Sequence, residues 1–158
     1  MKKISAKGQR FITCCLLPTL KEMEISRLCI PYTPFTGKLE ESKVALVSTA
    51  GVHLKDQPPF ILDGDTSFRI IPGNVESRDL RITHGHYDHS DADKDINCVF
   101  PIDRLRELAQ EKFIGAVSEI HISMGYTQAF REVREKTIPE IVKQIQNSRA
   151  DITLMTGG

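Results

Sequence analysis

The sequence predicts an α/β fold built on an open, mostly parallel, Rossmann-like sheet. Residues 43–51 are almost continuously apolar, as in a strand buried on both faces of a parallel sheet. In the second half of the chain, strand-like and helix-like segments alternate, which is typical of βαβ units. The chain stops at Gly158, directly after a strand-like run, so we expect the sheet to be incomplete at its C-terminus.

Length and composition indicate one soluble domain. The 158 residues carry 21 Lys+Arg and 21 Asp+Glu, a balance that argues against a broad nucleic-acid-binding face. No apolar run approaches the roughly 18 residues of a membrane span. The N-terminus lacks a signal-peptide cleavage site and the four cysteines lack CxxC spacing, so we expect a cytoplasmic protein with reduced thiols.

We predict that the first 42 residues form a largely irregular N-terminal arm and that residues 43–158 form the α/β domain. Pro18, Pro31 and Pro34 interrupt any long element in the arm, leaving room for a short helix at 20–28.

The strand at 43–51 ends in small residues, followed by His53. Ligands of open α/β sheets bind outside the carboxyl ends of strands, so this end is either a pocket wall or a tight turn. Residues 54–79 form a long connection with a short strand at 66–71. Because this connection shows no crossover helix, we expect it to cover the sheet end as a loop or hairpin.

The second half predicts two more strands and two helical segments. Asp103 is the expected N-cap of the first helix, and Gly115 its stop. A strand follows at 116–125 and contains His121, which we interpret as a structural histidine with satisfied ring nitrogens.

The next helix is expected to be capped by Thr127. Pro139 must kink this helix or lie near the start of a second one. A last strand is predicted at 152–156.

Three of the five histidines crowd into the loop between a short apolar run at 80–82 and the first helix. The spacing His84-x-His86-x-Asp88-His89 matches the HxHxDH motif of the metallo-β-lactamase superfamily, and these side chains suit zinc. That fold needs two further histidines and a bridging aspartate along a longer chain. A zinc hydrolase, or adventitious zinc binding, is therefore the alternative interpretation of the motif.

Four longer blocks resemble the selenoprotein B family of glycine, sarcosine, betaine and D-proline reductases. They are VALVSTAGVHLK at 44–55, DGDTSFR at 63–69, THGHYD at 83–88 and DINCVFPIDRL at 95–105. The blocks occur in the family's order, and the similarity extends from about residue 31 to the end. It accounts for the same histidines without a metal.

The resemblance implies reductive cleavage of a C–N bond in a small amino-acid substrate. The family's nucleophile, a selenocysteine or cysteine, directly follows the strand that resembles residues 151–158. It would therefore come after Gly158, and we expect a TGA codon there with the reading frame continuing. Chalcogen nucleophiles of low pKa react at neutral pH without a strong base.

Partners are implied by the same resemblance. A pyruvoyl group on a partner subunit would activate the substrate amine, a thiol or selenol carrier protein would complete the cycle, and the assembly would be oligomeric. The opposing hypothesis is that this 158-residue chain is an inactive fragment or a binding module.

Candidate site residues follow from this resemblance. His53, His84 and His86 would donate protons or orient a substrate carboxylate. Cys98 is either a spare redox thiol or a buried core residue, and the apolar residues that follow it favour burial.

Further candidates are small or polar residues of the same loops. Asp88, Asp93 and Asn97 would contact substrate or hold their loop by turn hydrogen bonds. Gly157 and Gly158 would contact substrate beside the nucleophile.

Overall fold

The computed structural model describes residues 35–158, so the helix predicted at 20–28 and most of the predicted arm lie outside the described residues. The described part is mixed α/β, and none of its helices is long and apolar enough to cross a membrane. Its strands are β1 Lys43–Ser48, β2 Val52–Leu54, β3 Phe68–Pro72, β4 Leu80–Ile82, β5 Ala116–Val117, β6 Ile120–Met124 and β7 Ile152–Thr156. Its helices are α1 Ile102–Gln110, α2 Phe130–Glu132 and α3 Ile138–Asn147, with a π-helical turn, Val133–Thr137, joining α2 to α3.

The main sheet is organised around β1. On one side β7 runs parallel to β1 from Val44 to Ser48. On the other side β5 pairs with the start of β1 and β6 with its end, both in parallel. Antiparallel β3 lies outside β6. The predicted α/β class with a mostly parallel sheet is confirmed, while the Rossmann-like arrangement stays a prediction.

The long connection forms strands rather than a crossover helix. β3 confirms the short strand predicted within it, although it starts two residues later and ends one residue later than predicted. β2 and β4 form a separate antiparallel pair in which His53 lies opposite Arg81. This pair places the histidine loop, residues 83–95, directly after β4 and next to the carboxyl end of β1.

Both faces of β1 are buried. Leu46 packs on one face with Phe100 and Ile102, next to α1. Val47 packs on the other face with Ile122 and with Ile141 of α3, which covers that face. Each such side chain stabilises the fold by about 1.5–3 kcal/mol when fully buried. The predicted burial of this strand is therefore confirmed.

The strand predicted at 116–125 is wrong as a single element, because it is interrupted between β5 and β6. At this gap the imidazole Nδ1 of buried His121 accepts a hydrogen bond of 3.0 Å from the backbone N–H of Leu46. A side chain thus replaces a strand carbonyl as the partner of a central amide, which burial would otherwise leave unsatisfied.

His121 is structural, as predicted, but only half satisfied. Its Nε2 is buried and has no hydrogen-bond partner among residues 35–158. Because Nδ1 accepts a bond, the ring is the neutral tautomer that carries its proton on Nε2. Burial, together with the charge of Arg106, lowers the pKa of His121 to about 4.

The first helix begins before its predicted cap. Asp103 is not the N-cap, because α1 starts at Ile102 after Pro101. The side-chain Oδ1 of Asn97 accepts a bond of 3.0 Å from the Asp103 N–H and so performs the capping role from outside the helix. The helix also ends at Gln110, well before Gly115.

The predictions for the second helical segment are closer. The predicted cap at Thr127 is wrong, because Ala129 is the N-cap of α2, but the Thr127 hydroxyl accepts a bond of 3.1 Å from the Ala129 N–H just before the helix begins. Pro139 is the second residue of α3, which directly follows the π-helical turn. The π-helical turn precedes it, so the segment changes its helical geometry near the proline, as expected.

Stability is expected to fall between pH 7 and pH 5 because of His121. In the unfolded chain the imidazole has a pKa near 6.5 and takes up a proton in this range, whereas the folded form, with a pKa of about 4, remains neutral. The unfolded state therefore binds more protons, and the free energy of unfolding should decrease by about 2 kcal/mol from this group. Urea titrations at pH 7, 6 and 5 measure the decrease.

The comparison protein is His121→Asn, which keeps an acceptor for the Leu46 N–H but does not titrate. It should be less stable at pH 7 and should show a correspondingly smaller decrease towards pH 5. Equal decreases in the wild type and the variant would contradict this assignment.

Candidate functional site

Three strands of the main sheet bring their carboxyl ends together. The N–H of Thr49, after β1, donates to the carbonyl of Thr156 in β7 at 3.1 Å. The N–H of Gly51 donates to the carbonyl of Met124 in β6 at 2.8 Å. In parallel sheets this edge is where ligands bind. The end of β1, predicted as either a pocket wall or a tight turn, therefore lies at this edge.

A groove of about 850 Å³ opens along this edge, between the sheet and the helical segment 130–147. Most of its lining is apolar, including Met124, Ile141 and Met155. The polar groups lie mainly at the strand ends. Those near the strand ends are Thr49, His84, His86, Tyr126 and Thr127, and Gln146 and Thr153 are the other polar residues of the lining. An apolar cleft with a few convergent polar groups is the usual form of a small-molecule site.

The histidine loop is fixed to the end of β1. Gly51 has a φ of 72°, in the left-handed region, and a β-carbon there would collide with the carbonyl of Thr83. The Thr83 N–H donates to the Gly51 carbonyl at 2.9 Å. The hydroxyl of Tyr87 donates to the Ala50 carbonyl at 3.0 Å, and burial raises the pKa of Tyr87 to about 12. The hydroxyl therefore keeps its proton for this bond.

His84 is partly buried and held by its own loop. Its Nδ1 accepts a hydrogen bond of 3.1 Å from the backbone N–H of His86. Burial lowers its pKa, and the charges of His86 and His89 act in the same direction. A neutral ring that accepts at Nδ1 must carry its proton on Nε2. His84 can therefore donate a hydrogen bond to a ligand without carrying a charge.

His86 is exposed, and its imidazole stacks on the ring of Tyr126, with 3.4 Å between ring centroids and 28° between planes. The ring of His84 meets both neighbours edge-on, at 6.1 Å. Tyr126 was not predicted as a site residue. Its position, directly after the strand predicted at 116–125, is the signal that could have identified it.

His53 lies behind the histidine loop and does not line the groove. It is buried, with Nδ1 2.7 Å from the Leu54 carbonyl and Nε2 2.9 Å from the Thr83 hydroxyl. A carbonyl only accepts, so Nδ1 carries the proton and Nε2 accepts from Thr83. Nε2 thus anchors the loop and Nδ1 is bonded within β2, and the predicted proton transfer by His53 stays a prediction.

The polar candidates of the histidine loop make local hydrogen bonds. His89 Nδ1 pairs with Asp93 Oδ2 at 2.8 Å. Asp88 accepts from the Ser90 N–H at 3.0 Å, and this bond lowers the pKa of its carboxyl. These contacts match the loop-holding alternative, and substrate binding by Asp88 and Asp93 stays a prediction.

Asn97 is engaged in the same way. Besides capping Asp103, it donates from Nδ2 to Asp95 at 2.9 Å and to the Asp103 carboxylate at 3.0 Å. Its side-chain groups therefore join the loop to α1, and its predicted contact with substrate is not tested by this arrangement.

Cys98 is exposed, so its interpretation as a buried core residue is wrong. It ends the 3₁₀ turn Ile96–Cys98, and the next two residues, Val99 and Phe100, face the core instead. Cys98 does not line the groove. A redox role for this thiol stays a prediction.

The glycines after β7 lie near the polar end of the groove. Gly158 lines it, and a β-carbon on this residue would overlap the ring of Tyr87. Gly157 lies near Thr49, whose hydroxyl would be 3.9 Å from a β-carbon there. The predicted contact of both residues with substrate is compatible with these positions and remains untested.

The alternative zinc motif does not converge in the folded chain. Among residues 35–158 no three His, Cys, Asp or Glu side chains are grouped so that they could hold a metal ion. His84, Asp88 and His89 each bond a different protein group. Binding zinc would require the loop to rearrange.

Comparison with known proteins supports the resemblance seen in the sequence. The family model for glycine/sarcosine/betaine reductase selenoprotein B matches residues 1–158. The D-proline reductase subunit gamma of Acetoanaerobium sticklandii is 46% identical over 128 residues, which are 80% of this chain and 53% of that protein. The sarcosine reductase complex component B subunit beta of Peptoclostridium acidaminophilum is 31% identical over 123 residues, 70% of this chain and 28% of that protein.

A third relative extends the similarity along the whole chain. The betaine reductase complex component B subunit beta of Peptoclostridium acidaminophilum is 27% identical over 165 residues, 99% of this chain and 35% of that protein. The chain thus spans about half the length of the first relative and about a third of the others. No solved structure matches.

Gly51→Ala should destabilise the protein and loosen the histidine loop. Strain at the left-handed φ and the collision with Thr83 predict a loss of about 2 kcal/mol in the free energy of unfolding. Gly85→Ala is the matched control, because a β-carbon there meets only Leu62, at an ordinary 3.7 Å. Urea unfolding of both variants gives the difference, and equal stabilities would show that Gly51 does not hold the loop.

Protein purified without added metal is expected to contain far less than one zinc per chain. The reason is that ring nitrogens of His84 and His89 are already used within the loop. Elemental analysis measures the content. Near-stoichiometric zinc that disappears in both His84→Gln and His86→Gln would establish a metal site and reverse our interpretation of the motif.

Proposed function

The chain belongs to the glycine/sarcosine/betaine reductase selenoprotein B family, and we propose that it forms the substrate-side wall of an amino-acid reductase component. The reaction is reductive cleavage of the C–N bond of a small amino acid. One observation carries the proposal: His84, His86 and Gly158 lie together at the polar end of a single groove. The first substrate to test is D-proline, because the D-proline reductase subunit is 46% identical.

We assign to His84 the role of orienting the substrate. As a neutral imidazole with its proton on Nε2, it would donate a hydrogen bond to a carboxylate oxygen of the amino acid. A neutral donor suits this role, because it holds the carboxylate without a charge that must itself be desolvated. The neighbouring apolar lining excludes water and strengthens the bond.

We assign to His86 the role of donating a proton to the leaving nitrogen. When the C–N bond breaks, the nitrogen keeps the electron pair and needs a proton. His86 is exposed and so can take up a proton from water between turnovers. General acid catalysis of this kind contributes about 10²–10⁴-fold to the rate.

A selenol or thiol following Gly158 would supply the electron pair that displaces the nitrogen from the α-carbon. The fit is supported by the position of Gly158, whose α-carbon packs on Tyr87 and lines the groove beside His84. Only a residue without a β-carbon allows this close packing.

Partner subunits are part of the proposal. The relatives are subunits of multi-component reductase complexes. We propose that a pyruvoyl-containing subunit activates the substrate amine and that a thiol or selenol carrier protein supplies the two electrons of the reductive cleavage.

The test is D-proline reduction by the chain extended past Gly158 with the proposed nucleophile and assembled with its partner subunits. His84→Leu should lower kcat/KM by about 100-fold, because the neutral donor is lost from the groove. His89→Leu is the matched control: His89 lies in the same loop but pairs with Asp93 and does not line the groove, so the activity of this variant should stay within about 2-fold of wild type.

Glycine, sarcosine and betaine are assayed in parallel. If another substrate is turned over and the two variants differ in the same way, the proposed site is supported and the proposed substrate is replaced. No turnover on any of them would favour the hypothesis of a binding module. Activity that disappears in Cys98→Ser would instead place the reactive thiol at Cys98.

A further inference from the structure

Besides its two histidines, the polar end of the groove contains an aromatic residue that no motif includes. Tyr126 follows β6 directly after Gly125, and its ring faces the imidazole of His86 at 3.4 Å. We propose that Tyr126 is a positioning residue, which holds His86 in place over the groove. The consequence for catalysis rests on the function proposed above for His86, whereas the positioning itself does not.

The first argument is that His86 needs an external support. Its side chain is exposed and lies on a loop. Its backbone N–H is bonded to His84 Nδ1, but neither of its ring nitrogens bonds another group within residues 35–158. Apart from an edge contact with His84, the stack on Tyr126 is its aromatic packing. An exposed side chain without such packing would sample several rotamers.

The second argument is that Tyr126 itself is well held. Its carbonyl accepts a bond of 2.8 Å from the N–H of Asp65. Its hydroxyl accepts a bond from the side-chain amide of Gln128. The preceding Gly125 packs directly on the ring of buried Phe60, where a β-carbon would approach to 2.9 Å. The backbone before the ring and the hydroxyl at its tip are therefore both fixed.

The support behind Tyr126 is a tightly bonded turn. The Asp65 carboxylate accepts from the N–H groups of Ser67 at 2.8 Å and Ile61 at 3.1 Å, and Arg69 lies 3.6 Å away. Burial acts to raise the pKa of Asp65, but these hydrogen bonds and the Arg69 charge outweigh it and the pKa is lowered. The Asp65 carboxylate is therefore charged and hydrogen-bonded, which fixes the turn. This turn holds Tyr126 through the bond from the Asp65 N–H to the Tyr126 carbonyl.

Positioning of this kind has a measurable value in catalysis. A proton donor that leaves its productive geometry by about 1 Å loses up to about 100-fold in rate. The proton reaches the nitrogen only as the C–N bond breaks. Loss of positioning should consequently lower kcat and leave KM nearly unchanged.

The experiment compares Tyr126→Leu with Tyr126→Phe by NMR of the histidine ring protons in the 158-residue chain. The His86 signals are assigned by their disappearance in His86→Gln. A ring stacked at 3.4 Å shifts the protons above it upfield. We expect upfield His86 signals in the wild type and in Tyr126→Phe, and signals at the unstacked position in Tyr126→Leu.

His89 is the internal reference, because its ring contacts Tyr87 and its Nδ1 is bonded to Asp93. Its signals should be unchanged in both variants if the loop stays folded. If Tyr126→Leu unfolds, Tyr126→Gln provides the second comparison: it also removes the aromatic ring, and His86 signals at the unstacked position are expected. Unchanged His86 signals in folded Tyr126→Leu would overturn the proposal.

The reductase assay separates this inference from the proposed function. In Tyr126→Leu, kcat should fall about 10- to 100-fold with little change in KM, and Tyr126→Phe should restore it to within about 2-fold. If the NMR shift is lost but kcat is unchanged, Tyr126 still positions His86, and it is the role of His86 in the reaction that fails.

Discussion

The backbone of β1 is the constraint on which the rest of the structure depends. β1 is buried on both faces and paired on both edges, so each of its amides must find a partner within the protein. β7 satisfies one edge along the whole strand, but β5 and β6 reach only its two ends. The imidazole of His121 fills the interval at Leu46. The ring must therefore stay neutral for the sheet to keep this hydrogen bond.

The same strand organises the groove, because its continuation bonds every segment that forms the polar end. Thr49 holds the end of β7, Gly51 holds the end of β6, and Ala50 receives the Tyr87 hydroxyl. The histidine loop is attached to this continuation of β1 by the hydrogen bond from the Thr83 N–H to the Gly51 carbonyl. Groups that are more than 30 residues apart in sequence therefore depend on one short stretch of backbone. This dependence gives the loop a defined geometry although most of its side chains are exposed.

Much of this architecture could be predicted because local pattern and tertiary role agree. The apolar run of β1, the last strand at 152–156 and the proline-interrupted helix are examples. Predictions failed where a distant group decides the outcome. Asn97 caps α1 from outside the helix, so Asp103 was misread as the cap. β5 and β6 are separate strands, and across the interval His121 bonds Leu46, 75 residues away, a contact that no local periodicity records.

Side-chain direction in short turns was a second source of error. Cys98 stands next to apolar residues, but a 3₁₀ turn places it at the surface and directs Val99 and Phe100 inward. Tyr126 was overlooked because its partner, His86, is 40 residues earlier in the chain. Both residues adjoin elements that the sequence did predict, so it was the orientation of the side chains that required the structure.

The five histidines show how hydrogen-bond accounting separates structural residues from candidates for chemistry. His53 uses both ring nitrogens within the fold, and His121 uses one and buries the other. His89 is paired with Asp93 outside the groove. Only His84 and His86 combine a position in the groove with a ring nitrogen that bonds no group in residues 35–158. Spacing in the sequence cannot make this distinction, because His84, His86 and His89 belong to the same motif. The bonding of the folded chain separates them and leaves one neutral donor beside one exposed imidazole, the two groups to which the proposed function assigns substrate orientation and protonation.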